Sequence, residues 1–158
     1  MNNLTINRRS LLCGMGATGL ALAVPALAAA QPLVQVFKDP NCGCCGAWIE
    51  IMADAGFEMD VHDAAYDSLK RLKAQSGVSE DMASCHTARV DGYIIEGHVP
   101  PADVQRLLSE RPDAVGLSVP GMPWGSPGMG PESERDAYSV FLIRIDGTTE
   151  IFTHYKAA

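Results

Sequence analysis

The sequence predicts one mixed α/β domain of the α+β kind, and three observations carry that prediction. Strand-like segments alternate with segments of helical periodicity from residue 33 to residue 112. Asp-Gly pairs at residues 91–92 and 146–147 each separate two apolar arms, a strong short-range hairpin signal. Between the last helical pattern and the second hairpin runs a stretch rich in Gly, Pro and Ser that carries Met122 and Met129.

The elements follow in order. "LVQVF", residues 33 to 37, has the β-branched, apolar character of a buried strand, and "KDPN" ends it. From Cys44 onward, Trp48, Ile51, Met52 and Ala55 recur at helical spacing, with Gly56 at the C-terminal cap position. "FEMDVHD" alternates Phe57, Met59 and Val61 with polar residues, as a short strand does. "YDSLKRLKAQSG" supplies a second helix with Leu69 and Leu72 inward and Gly77 at its end. "ARVDGYIIEGHV" is the first hairpin, and "PPADVQRLLSERP" is a helix with proline at entry and exit. Strand, helix, strand, helix, hairpin, helix is the order of a thioredoxin-like fold. The expected additions are a Gly/Pro/Met-rich loop of some twenty residues, unusually long for a compact domain, and a C-terminal β-hairpin from "SVFLIRI" and "TEIFTHY".

The N-terminus reads as an export signal over residues 1–30: Arg8 and Arg9 form the charged region, an apolar run from residue 11 to 24 follows, and "PALAAA" offers small residues for cleavage after Ala28 or Ala30. The run is short and Ala/Gly-rich for a membrane span. "NRRSLL" resembles a twin-arginine signal, with the general secretory route as the alternative. Cys13 leaves with the signal. The domain proper, residues 31–158, then has about 130 residues, enough for one domain and not for two. Ten basic residues face nineteen acidic ones there, a formal charge of −9, which disfavours nucleic acid as a partner. No basic amphipathic stretch suggests membrane docking, and no stable span is expected after cleavage. The implied location is the periplasm.

Chemistry concentrates in "DPNCGCCGAW", residues 39 to 48, and "ASCHTARV", around Cys85. Cys42 and Cys45 have the spacing of a redox dithiol, while Cys44 and Cys45 are adjacent and rarely bridge without strain. Cys44 and Cys45 fall at a helix start, where unpaired N–H groups and the macrodipole favour thiolate. In the predicted topology the loop before the first hairpin lies against that helix, which lets Cys85 face the cluster. Convergent sulfurs with imidazole and thioether nearby form a soft donor set that selects Cu(I), zinc or iron–sulfur chemistry. Paired Cys-x-x-Cys knuckles of a zinc ribbon are lacking, and methionines in a Gly/Pro-rich loop favour copper.

The blocks "FKDPNCGCCGAW", "SCHTARVDGYIIEGHVP" and "GLSVPGMPWGSPGM" resemble successive motifs of the CopG-like periplasmic copper-resistance proteins, a thioredoxin-like metal-binding family long filed as a domain of unknown function. The resemblance spans residues 33 to 155. It implies binding of Cu(I), as a cluster of more than one ion, and thiol-linked interconversion of Cu(I) and Cu(II) in copper resistance. It further implies Cys42, Cys44, Cys45 and Cys85 as primary ligands, with His86, His98, Met122 and Met129 as additional ligands or supporting groups. Copper ions and other periplasmic copper-handling proteins are the implied partners. Two further readings stay open: a thiol-disulfide oxidoreductase using Cys42 and Cys45, and an adaptor whose cysteines are structural, through zinc or disulfides. His62 and His154, in strand contexts, are expected at the surface.

Overall fold

Val34 and Val36 alternate inward along β1, Val34–Lys38, and both are fully buried. A computed structural model describes residues 32–158, so the expected export signal and Cys13 lie outside the described residues. Asp39 ends β1 with a side-chain turn, its Oδ1 accepting the Asn41 N–H at 2.8 Å, and its carbonyl accepts the Cys42 N–H at 3.0 Å. That turn delivers Cys42 as the N-cap of α1, Gly43–Asp54. The helix buries Cys45, Trp48 and Met52, spaced three and four apart on one face. It ends before Gly56, whose φ of +95° makes the reversal into the next strand.

β2, Met59–Asp63, runs parallel to β1 at the sheet edge, and α2, Tyr66–Gln75, turns Leu69 inward. A 3-10 turn, Glu80–Met82, leads to the hairpin of β3, Thr87–Val90, and β4, Tyr93–Glu96. Asp91 and Gly92 both have positive φ, as a two-residue hairpin turn demands. α3, Pro101–Glu110, begins on its expected proline and stops at Arg111 in the left-handed region.

The expected unstructured stretch after Pro112 contains a strand that the sequence reading missed, β5, Gly116–Ser118, parallel to β4. Three residues are too few to show a period. Gly116 is what admits it: a Cβ there would run into the Ile94 carbonyl of β4. β6, Tyr138–Ile143, and β7, Thr149–Tyr155, form the expected closing hairpin. Through β5 that hairpin joins the main sheet, giving one seven-stranded sheet of order β2-β1-β3-β4-β5-β6-β7. Residues 119–137 remain a long connection, here called the strap, with one 3-10 turn at Glu132–Glu134. The main core sits where α1 and α3 pack on the sheet, around Val36, Trp48, Met52, Ile95, Leu107 and Leu117. Each such aliphatic or methionine side chain contributes about 1.5–3 kcal/mol by leaving water. The result is the α+β fold that the element order predicts.

Candidate metal centre

The cysteine site forms where the start of α1 meets the segment before β3. Cys42 caps the helix without a side-chain cap bond. Cys42 and Cys45 are joined in a disulfide with Cα atoms 5.4 Å apart, and Cys44 and Cys85 are free thiols. The thiol of Cys44 lies 3.5 Å from Cys42 Sγ. All four sulfurs, Cys42, Cys44, Cys45 and Cys85, lie within 4.8 Å of one another. Cys85 thus faces the helix start, as the topology predicts, from a position some forty residues away in the chain.

Two imidazoles complete the cluster. Cys85 Sγ is 3.3 Å from His86 Nδ1 and 3.0 Å from His98 Nε2, and the ligand atoms of Cys85, His86 and His98 form a second group within 4.8 Å. His98 Nδ1–H donates to the Pro127 carbonyl at 2.8 Å, which leaves the Nε2 lone pair directed at the sulfur. A ring nitrogen fixed by a carbonyl behind it is the usual support of a metal-binding histidine. His86 is fully buried, tilted over the Trp48 ring at 4.4 Å and edge-on to His98 at 5.2 Å. Its buried Nε2 has no hydrogen-bond partner among the described residues. Burial drives the His86 pKa well below its ordinary value, aided by His98 and Lys73, and burial also lowers His98, so both rings are neutral donors. Burial first, then the charge and hydrogen bond of Cys44, pushes the Cys85 thiol up to about 12. Such a sulfur yields its proton to a metal ion far more readily than to water.

The strap closes over this cluster. Gly121 N–H donates to the Ala83 carbonyl at 3.1 Å, and Ser84 Oγ donates to the Gly121 carbonyl, forming an isolated bridge beside Cys85. Further on, Gly128 passes so near the first turn of α1 that a Cβ would stand 2.7 Å from the Trp48 nitrogen and 2.9 Å from the Cys44 carbonyl. Met129 is half-buried where the strap folds back, its N–H donating to Ser126 O at 2.8 Å, whereas Met122 is 54% exposed. His62 and His154 are exposed, paired with Asp60 and Ser139 respectively.

Several supporting residues escaped the sequence reading. Trp48 Nε1 donates to Val99 O at 2.9 Å, clamping α1 to the turn that carries His98. Glu96, fully buried, accepts from Lys73 Nζ at 2.5 Å, from Ser84 N–H at 2.6 Å and from Thr87 Oγ1 at 2.7 Å. Burial pushes its carboxyl above the ordinary range, and Lys73 opposes that rise. A glutamate ending the apolar run "YIIE" was the available signal, since a charge there is buried only with a partner. Behind Cys85 opens a cavity of about 420 Å³, lined by Leu69, Lys73, Val78, Ala83 and Cys85 among others.

The donor set fits a thiophilic metal ion. Four sulfurs and two neutral imidazoles converge, one buried ring nitrogen is left unpaired, and no carboxylate joins either donor group. Reduction of the Cys42–Cys45 bond would supply two of the four thiolates. A family model described as "Protein of unknown function, DUF411" matches residues 82–129, from the segment before Cys85 into the strap. No curated protein matches. A solved structure described as "Copper resistance protein copG- Form 2" is similar at 42% identity and a TM-score of 0.74, covering 79% of this chain and 98% of that one. Its "Form 1" counterpart gives 41% identity and a TM-score of 0.75, covering 80% and 99%. Identity at that level over nearly the whole of those proteins shows that this chain belongs to the CopG-like family of copper-resistance proteins.

Proposed function

We propose that this chain is an exported copper-binding protein that holds Cu(I) through Cys42, Cys44, Cys45 and Cys85 and serves copper resistance in the periplasm. The observation that carries the reading is the convergence of four sulfurs with the neutral rings of His86 and His98 on one sulfur, Cys85. Soft thiolates prefer Cu(I), and four of them exceed the needs of one two- or three-coordinate ion, so bridging sulfurs hold more than one. His86 and His98 serve as nitrogen donors, and the thioethers of Met122 and Met129 as outer donors on the strap. The first four strands, in the order β2-β1-β3-β4, with the three helices, support a thioredoxin-like frame. No helix among the described residues is long and apolar enough to cross a membrane.

The Cys42–Cys45 bond also supports a redox role. Oxidation of that dithiol releases two electrons and two protons and closes one disulfide, and two Cu(II) ions accept the electrons to become two Cu(I). The same bond is the observation favouring a thiol-disulfide oxidoreductase acting on proteins. Against it, the backbone edge beside Cys85 is already paired with the strap at Gly121, where an extended partner segment would have to add. Metal content of the reduced protein separates the readings. Copper near or above one ion per chain that falls on Cys44→Ser supports the copper reading. Unchanged copper binding in that variant contradicts the cluster, and absence of copper with rapid glutathione exchange favours the oxidoreductase.

A further inference from the structure

The carboxylate of Glu96 lies wholly inside the protein on the last residue of β4, and its contacts reach three other pieces of chain. Oε1 takes the Lys73 ammonium of α2 at 2.5 Å and the Ser84 N–H at 2.6 Å, while Oε2 takes the Thr87 hydroxyl of β3 at 2.7 Å. Lys73 Nζ donates also to Thr87 Oγ1 at 2.9 Å, so the ammonium is itself held in place. A buried ion pair is a poor source of stability, because removing two charges from water costs much of what their attraction returns, and apolar residues of similar size often do as well. What an apolar pair would not supply is an acceptor for the Ser84 N–H.

That N–H lies one residue before Cys85, on a segment outside the main strand ladders whose other long-range ties are the bridge to Gly121 and the Ser118 hydroxyl on the Met82 carbonyl. Cys85 in turn must aim one sulfur at two imidazoles and at the cysteines of α1. We propose that Glu96 is the positioning residue for Cys85: it fixes the Ser84–Cys85 backbone so that the thiol points into the cluster, with Lys73 holding the other side of the carboxylate in place. The consequence for copper affinity rests on the function proposed above; the consequence for the thiol does not.

Three variants and three readouts test this. Lys73→Met/Glu96→Gln removes both charges and keeps a side-chain oxygen for Ser84, whereas Lys73→Met/Glu96→Leu removes the acceptor as well. Glu96→Asp keeps the ion pair but shortens the reach to Ser84, and serves if the leucine pair does not fold. In reduced, copper-free protein, limiting alkylation followed by mass mapping gives the ratio of Cys85 to Cys44 labelling; Cys85 is reachable because it lines the 420 Å³ cavity. The glutamine pair is expected to keep the parent ratio, and the leucine pair and Glu96→Asp to change it by about fivefold or more and to weaken Cu(I) binding by about tenfold or more, the usual effect of losing a group behind a ligand. A melting temperature that falls while the ratio and the affinity stay at parent values would make Glu96 a purely structural residue and overturn the proposal. A parent protein that binds no Cu(I) through Cys85 would overturn the copper reading instead, and the labelling ratio would still decide the role of Glu96.

Discussion

Cys44 has no place in a two-sulfur exchange mechanism, yet it lies 3.5 Å from Cys42 Sγ and within 4.8 Å of the other sulfurs. Its replacement by serine is therefore expected to lower copper stoichiometry or affinity while the Cys42–Cys45 dithiol still closes on oxidation, as read by metal analysis and free-thiol counting. His98 offers a second test at this scale. With Nδ1–H on Pro127 and Nε2 on Cys85, it joins the strap to the sulfurs. His98→Phe keeps a ring against His86 but removes both nitrogens, and should weaken Cu(I) binding by about tenfold or more in a competition assay. The cysteines were legible because adjacency and spacing restrict their chemistry, and His86 because it adjoins Cys85. Trp48, Lys73, Glu96 and Pro127 were not, since their partners lie many residues away: Trp48 finds Val99 fifty-one positions on. Only folding brings such pairs together, and only the oddity of a glutamate in an apolar strand hinted at one.

Among the elements, the strap differs most from its expected form. Its composition marked an unusually long loop, but composition does not say that the loop is pinned at Gly121, Pro127 and Gly128 over the cysteines. Gly128 has a φ of +84° and a steric limit set by the first turn of α1. Gly128→Ala should therefore cost about 1–3 kcal/mol in urea unfolding and speed alkylation of Cys44 as the strap lifts; unchanged values for both would show that the strap does not bear on the helix. The closing hairpin is fastened differently. Tyr155 OH donates to Asp103 Oδ2 at 2.8 Å, Thr153 Oγ1 donates to Asp103 Oδ1 at 2.5 Å, and Tyr155 stacks on Tyr138 at 4.9 Å. Burial raises both tyrosine pKa values, Tyr138 to about 12, and the Asp103 carboxylate raises Tyr155 further. The unfolded chain releases these protons near pH 10 and the folded one holds them longer. Their contribution to stability is thus full below about pH 10 and is lost as pH rises through the folded values. The parent should lose stability across that window, and Tyr155→Phe should lose less of it. β5 was missed because three residues carry no period, whereas the six- and seven-residue strands beside it announced themselves.

At the scale of the whole molecule, the described residues build one sheet with its chemistry at one end, where the turn after β1, the segment before β3, the turn after β4 and the strap converge. The order of elements was readable because strand and helix periods alternate cleanly and the Asp-Gly turns fix two hairpins. That β5 would splice the second hairpin onto the sheet was not, because parallel pairing of β4 with β5 arises across a helix rather than a turn. The acidic charge of the chain suits a cation handler at the scale of the whole surface, although the cluster itself presents sulfur and nitrogen. The most direct measurement is an anaerobic titration of the reduced domain with Cu(I) against a chromogenic chelator, run on the parent and on Cys85→Ser. The account predicts that the parent takes Cu(I) from the chelator at one or more ions per chain and that the Cys85→Ser variant loses most of that capacity. A parent that leaves the copper with the chelator, or a Cys85→Ser variant that binds as the parent does, would contradict it.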